Sequence, residues 1–138
     1  MVEFPDDPAV GDSVQLLRRI PPLHFVRDEN SAGGRRPSSA AFDDDTDGQP
    51  MSVYRRDVID VEGGDISRVM VGHDGYALAG LTAGHFRMRD QTVHPDPLPN
   101  ESAHTVICGV KTESTRRFFR KNSVWVIPPP AVASADTR

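Results

Sequence analysis

Proline divides this chain. Its ring carries no backbone N–H and blocks the next helical turn, so each proline marks an end or an edge of regular structure. Twelve prolines and eleven glycines stand in 138 residues. Pro21-Pro22 closes a segment at 13–20 (SVQLLRRI), three prolines crowd residues 94–100 (HPDPLPN), and Pro128-Pro129-Pro130 follows 124–127 (VWVI). Only short elements fit between these stops. The expected fold class is α+β: a small mixed, mostly antiparallel sheet with two or three short helices.

The segments follow from local pattern. Strands are expected at 13–20, 38–42 (SSAAF), 51–54 (MSVY), 76–82 (YALAGLT), 103–108 (AHTVIC) and 124–127. The second and third read as a hairpin across the acidic turn 43–50 (DDDTDGQP), and residues 27–37 (RDENSAGGRRP) as a loop rich in turn formers. Residues 103–108 are apolar on both faces after His104, the mark of a strand flanked on both sides. Asp65 is placed to cap a short helix over 66–71. Thr112 caps a helix from 113 to 122, whose basic last turn suits the negative end of the helix dipole. Residues 83–90 make a turn or one helical turn, 94–100 exclude regular structure, and 55–75 stay ambiguous.

A chain of this length forms one domain with one modest core. An apolar share of 37 % agrees with that. The expected organisation is a disordered acidic arm over 1–12, one domain over 13–129 and a flexible tail over 130–138. No run of roughly 18 apolar residues exists to span a membrane. The acidic start, with Glu3, Asp6 and Asp7, does not read as a secretory signal, and a single cysteine, Cys108, forms no internal disulfide. A reducing, cytoplasmic setting is the expectation.

Charge narrows the partners. The net charge of −4 argues against a DNA partner or a general nucleic-acid binder. Arginine outnumbers lysine fourteen to two, read as the codon bias of a GC-rich genome. The charges are clustered: Asp43, Asp44, Asp45 and Asp47 in one run, Arg18, Arg19, Arg27, Arg35 and Arg36 in a second, and Lys111, Arg116, Arg117, Arg120 and Lys121 in a third. The basic runs either meet at an anion site or form solvated faces paired with the acidic runs.

The pieces RRIPP (18–22), SSAAF (38–42), MSV (51–53), DPLP (96–99), AHTVICGVKT (103–112) and TRRFFRKNSVWVIPP (115–129) occur in an order and spacing that resembles a group of small uncharacterised bacterial proteins. Such proteins commonly read Arg-Arg-Ile-His-Pro at the first piece; here Pro21 stands at the histidine and His24 follows it. The resemblance implies one shared fold and a bacterial origin, and no reaction.

Candidate chemistry centres on His104, at the mouth of an apolar strand after a proline-rich loop. A histidine there serves as acid, base or anion donor near neutral pH, or as a structural bond to the loop. Cys108 lies four residues along the same strand, about 13 Å away, out of reach for a Cys–His pair. It reads as a small buried hydrophobe. The five histidines show no short ligand spacing, so no metal is expected, and no cofactor motif occurs. Ser38 and Ser39 lack a nucleophile-elbow context and are candidates for phosphate or ribose contacts. Arg35 or Arg36, in the flexible Gly33-Gly34-Arg35-Arg36 loop, is a candidate phosphate clamp, with Arg36 taken as the site residue. Arg18 and Arg19 face opposite ways on a strand, so one of them can share a site with His104 and Lys111. An interior arginine there needs an acidic or anionic partner. Trp125 and one of Phe118 and Phe119 read as core.

Two functions survive. The favoured one is a cytoplasmic bacterial accessory protein that binds a partner protein through the acidic arm, the 43–50 turn and the proline-rich loop. The alternative is an enzyme or ligand-binding domain for a phosphate-bearing substrate (nucleotide, NAD or RNA), with Arg18 or Arg19, Ser38 or Ser39, His104 and Lys111 converging.

Overall fold

A computed structural model describes residues 3–130, the side chain of Asp47 excepted. The tail expected to be flexible lies, apart from Pro130, outside the described residues. The fold is α+β, as expected. Six strands form one sheet: β1 (Gln15–Ile20), β4 (Met51–Arg55), β5 (Ala77–Thr82), β6 (Thr92–Pro95), β7 (His104–Cys108) and β8 (Val124–Ile127). Their order is β6-β7-β4-β1-β5-β8, and every pairing is antiparallel. A separate two-stranded ribbon joins β2 (Phe25–Arg27) to β3 (Arg35–Pro37). The helices are α1 (Arg56–Val61), α2 (Ala83–Arg87) and α3 (Glu113–Asn122). None is long and apolar enough to cross a membrane.

Both faces of the sheet are covered, because a strand exposes alternate side chains to opposite sides. On one face Leu16, Ile20, Met51, Val53, Ala79, Leu81 and Ile107 pack with Phe86 of α2, Phe119 of α3 and Phe42. On the other, Leu17, Tyr54 and Leu78 pack with Ile59 of α1 and Val69. Trp125 sits against the first cluster and donates its indole N–H to the Arg35 carbonyl at 2.9 Å, tying the ribbon to the edge strand β8.

Local chemistry explains the helix boundaries. The Thr112 hydroxyl accepts from the Thr115 N–H at 3.2 Å, Glu113 opens α3, and Arg120 and Lys121 close it. Thr82 caps α2 reciprocally with His85: the hydroxyl accepts from the His85 N–H, and His85 Nδ1 accepts from the Thr82 N–H. Asp65 caps the 3-10 turn Ile66–Met70, accepting from the Ser67 N–H at 3.1 Å.

Four expectations need correction. Residues 38–42 form no strand and no hairpin with 51–54. Ser39–Phe42 is a 3-10 turn that buries Ala41 and Phe42, and the strong hydrophobe is used as a plug under α3. Residues 27–37 are not all loop, since β2 and β3 pair across Gly33, whose φ of 72° suits a residue without Cβ. His94 and Pro95 belong to edge strand β6, where proline is tolerated. Residues 3–12 do not form a loose arm. Asp6 accepts from the Val93 N–H at 2.9 Å and from Arg87 at 3.0 Å, and Val10 is fully buried.

The acidic run is likewise docked. Lys111 Nζ, its side chain 1 % exposed, donates to Asp44 at 2.6 Å and to the carbonyls of Ile107 at 2.9 Å and Gly109 at 3.2 Å. Arg18 holds Asp45 at 2.8 Å, and Arg116 lies 3.9 Å from Asp43. Replacing Lys111 leaves two carbonyls without this donor, which costs about 1–3 kcal/mol. Lys111→Met is therefore expected to lower the stability measured by urea unfolding by roughly 2 kcal/mol. An unchanged unfolding midpoint in Lys111→Met would show that the lysine does not anchor the loop.

Candidate functional site

The site begins where two strands part. β1 and β4 pair at Leu16–Arg55 and Leu17–Tyr54 and no further, whereas β1 keeps six pairs with β5. The Arg18 guanidinium sits where the pairing stops. Its Nη1 donates to the Ser52 carbonyl at 2.9 Å and to Asp45 at 2.8 Å, its Nε to the Ala41 carbonyl at 3.1 Å, and its Nη2 to the Asp43 carbonyl at 3.3 Å. The Arg18 side chain thus takes up the Ser52 carbonyl of β4, beyond the last β1–β4 pair, together with two carbonyls of the segment before it.

A cleft of about 500 Å³ opens beside this plug. Arg18, Arg19, His24, Ser52, His73 and Tyr76 line it, with Asp44, Asp45 and Thr46 along the docked loop. Arg19 projects to the face opposite Leu16 and Ile20. Its Nη2 donates to the Tyr54 hydroxyl at 2.6 Å and its Nη1 to the Val69 carbonyl at 2.9 Å, with His73 Nδ1 at 3.3 Å. The guanidinium carbon lies 4.9 Å from the Tyr54 ring centre. Among the described residues, no carboxylate lies within ion-pair distance of Arg19, whereas Arg18 has Asp45 and Lys111 has Asp44. The Tyr54 hydroxyl is held protonated: burial raises its pKa more than Arg19 lowers it.

A second cleft, of about 470 Å³, shares Ser52, Asp45 and Thr46 with the first and adds Asp96 and His104. His104 is held on both ring nitrogens. Nδ1 lies 2.9 Å from the Asp96 carbonyl and 3.3 Å from the Asp96 carboxylate, and Nε2 lies 3.0 Å from the Ser52 hydroxyl. The β4–β7 register makes this possible by setting Tyr54 opposite His104, with the two rings edge to face at 5.7 Å.

The predicted residues therefore separate. Arg18 and Arg19 share one cleft, and His104 reaches it through Ser52. Lys111 is spent on the acidic loop and lines neither cleft. Ser38 and Ser39 begin the 39–42 turn and line neither; the Ser38 hydroxyl is buried and bonds no described residue. Arg36 lines a third cleft, of about 270 Å³, with Arg120, Lys121, Ser31, Asp28 and Trp125. Two basic runs do meet there, 4.0 Å of separation giving Arg36 a partner in Asp28. Ser52, Asp96, Tyr54 and His73 were not foreseen as site residues. Ser52 carried one signal, a small polar residue alternating with Met51 and Val53.

His24 reports on this environment. Burial first, and the Arg18 charge second, hold its imidazole below the ordinary histidine pKa. The folded protein then binds the proton less readily than the unfolded chain. The stability His24 contributes is complete above the ordinary pKa and falls as pH drops through it. His24→Gln is expected to lose less stability than the parent between about pH 7.5 and about pH 5.5 in parallel urea titrations. Equal losses would show that the ring titrates as in water.

Neither a family model, nor a curated protein, nor a solved structure matches this chain.

Proposed function

We propose that this protein binds a small phosphate-bearing ligand, with Arg19 as the anchor for its anion. One observation carries the reading: a guanidinium with no carboxylate partner among the described residues lines a concave cleft and is already oriented by Tyr54, Val69 and His73. Oriented donors cost little to immobilise on binding. The two acids along the same cleft, Asp44 and Asp45, are offset by Lys111 and Arg18, which leaves the Arg19 charge in excess. His73 and Tyr76, edge to face at 5.0 Å, border the same space and offer aromatic surface to a nucleoside or aryl group.

The three surfaces on which a partner protein was expected make contacts within the chain: the arm with β6 and α2, the acidic turn with Lys111 and Arg18, and the proline-rich connection with β7. A partner-protein role therefore rests on separate exposed hydrophobes such as Leu23, Val61 and Val110. The proposed setting remains the bacterial cytoplasm, supported by the resemblance to small bacterial proteins and by the single free thiol.

Calorimetry tests the reading with adenosine 5′-monophosphate, inorganic phosphate and adenosine. The monophosphate is expected to bind more tightly than adenosine and to weaken with added salt. A charge-assisted bond contributes about 1.5–3 kcal/mol, so Arg19→Gln should weaken monophosphate binding by roughly 10- to 100-fold while leaving adenosine unchanged. Equal binding of monophosphate and adenosine, or an Arg19→Gln variant with parental affinity, would overturn it.

A further inference from the structure

Two clefts share Ser52, and its hydroxyl and the groups bonded to it form an ordered chain. We propose that Ser52 is a nucleophile activated by His104 and positioned by Asp96, so that the protein hydrolyses esters that carry an anionic group.

The tautomer carries the argument. The Asp96 carbonyl, 2.9 Å from His104 Nδ1, can only accept a hydrogen bond, and the Asp96 carboxylate lies nearby at 3.3 Å. The hydrogen-bond network therefore assigns the ring proton to Nδ1. Nε2 is left as an acceptor, and the Ser52 hydroxyl, 3.0 Å away, donates to it. This is the arrangement a serine nucleophile needs: a hydroxyl bonded to a free imidazole nitrogen, with the other nitrogen fixed, here by the Asp96 backbone carbonyl. Asp96 is itself fixed, because its N–H donates to the His104 carbonyl at 2.9 Å. The bond is thus returned from side chain to backbone on the same pair.

Access and burial are divided suitably. The His104 side chain is 9 % exposed and shielded from bulk water, the Asp96 side chain is 47 % exposed, and Ser52 borders both clefts.

The chemistry balances without a cofactor. Ser52 Oγ attacks the ester carbonyl carbon as its proton passes to His104 Nε2. The C–O bond to the leaving group breaks, and the leaving oxygen takes that proton. Water then attacks the acyl-Ser52 ester, gives a proton to His104, and releases the acid while Ser52 Oγ regains the proton. Asp96 is a positioning residue throughout. The anionic character of the substrate rests on the Arg19 reading above; the nucleophile does not.

A neutral alkyl fluorophosphonate separates the two. With the full chain it should form an Oγ–P bond at Ser52 and expel fluoride, giving an adduct located by mass spectrometry. Ser52→Ala should abolish the adduct, and His104→Gln should slow labelling by about 100-fold or more. The titratable groups facing the ring region are Asp96, Asp45 and Tyr54, and Asp45 is held by Arg18. The Asp96 carbonyl on Nδ1 belongs to the backbone, so Asp96→Asn should still give the Ser52 adduct. In a second assay, 4-nitrophenyl succinate should turn over faster than 4-nitrophenyl acetate, and Arg19→Gln should erase the difference. Absence of the Ser52 adduct in protein that retains its circular dichroism overturns the nucleophile. Labelling of Ser52 without a preference for the anionic ester keeps the nucleophile and overturns the anion anchor.

Discussion

The Arg18 guanidinium is surrounded by four oxygens from three parts of the chain: the carbonyls of Ala41, Asp43 and Ser52 and the carboxylate of Asp45. It lies in the centre of the sheet, next to the point where β1 and β4 stop pairing. An arginine there satisfies more acceptors than any uncharged side chain, and its rigid fork holds them in fixed directions. The Ser39–Phe42 turn, the acidic loop and β4 are thereby fixed relative to β1. The cleft exists because the strands separate, and it keeps its shape because Arg18 fills part of the separation. Removing one partner of such a network is costlier than the value of any single bond, since the remaining groups stay dehydrated.

The electrostatic consequence is selective. An acidic run beside a cleft would ordinarily repel an anion. Here Asp44 and Asp45 are matched by Lys111 and Arg18, so the local field is left to Arg19. The Arg36–Arg120–Lys121 cleft has more cations but a weaker claim. Its cations at the end of α3 offset the negative pole of that helix, and Asp28 stands beside Arg36. Position relative to unpaired donors decides between the two clefts, not the count of positive charges.

Elements specified by neighbouring residues were legible in the sequence. The helix at 113–122 and the strand at 124–127 appear at their expected residues, because cap, amphipathic face and proline stop are all local. The capped turn at 66–70 follows for the same reason. Residues 38–42 form no strand because alanine disfavours strands and Phe42 is drawn into the core against α3. The ribbon of β2 and β3 was missed because each strand spans three residues around a Gly-Gly loop. For the site, Arg18 and Arg19 were found with opposite orientations, as alternation requires. Lys111, Ser38 and Ser39 do not meet His104, since strand order decides who meets. Ser52 and His104 lie 52 residues apart, and only the β4–β7 register brings them together.

The most direct test of the account is an NMR titration of the full chain with inorganic pyrophosphate, following the arginine Nε–Hε resonances. The account predicts saturable shifts at Arg19, with smaller changes at Arg18 and none at Arg36 or Arg120. Shifts confined to Arg36 and Arg120, or equal and unsaturable shifts at every arginine, would contradict it.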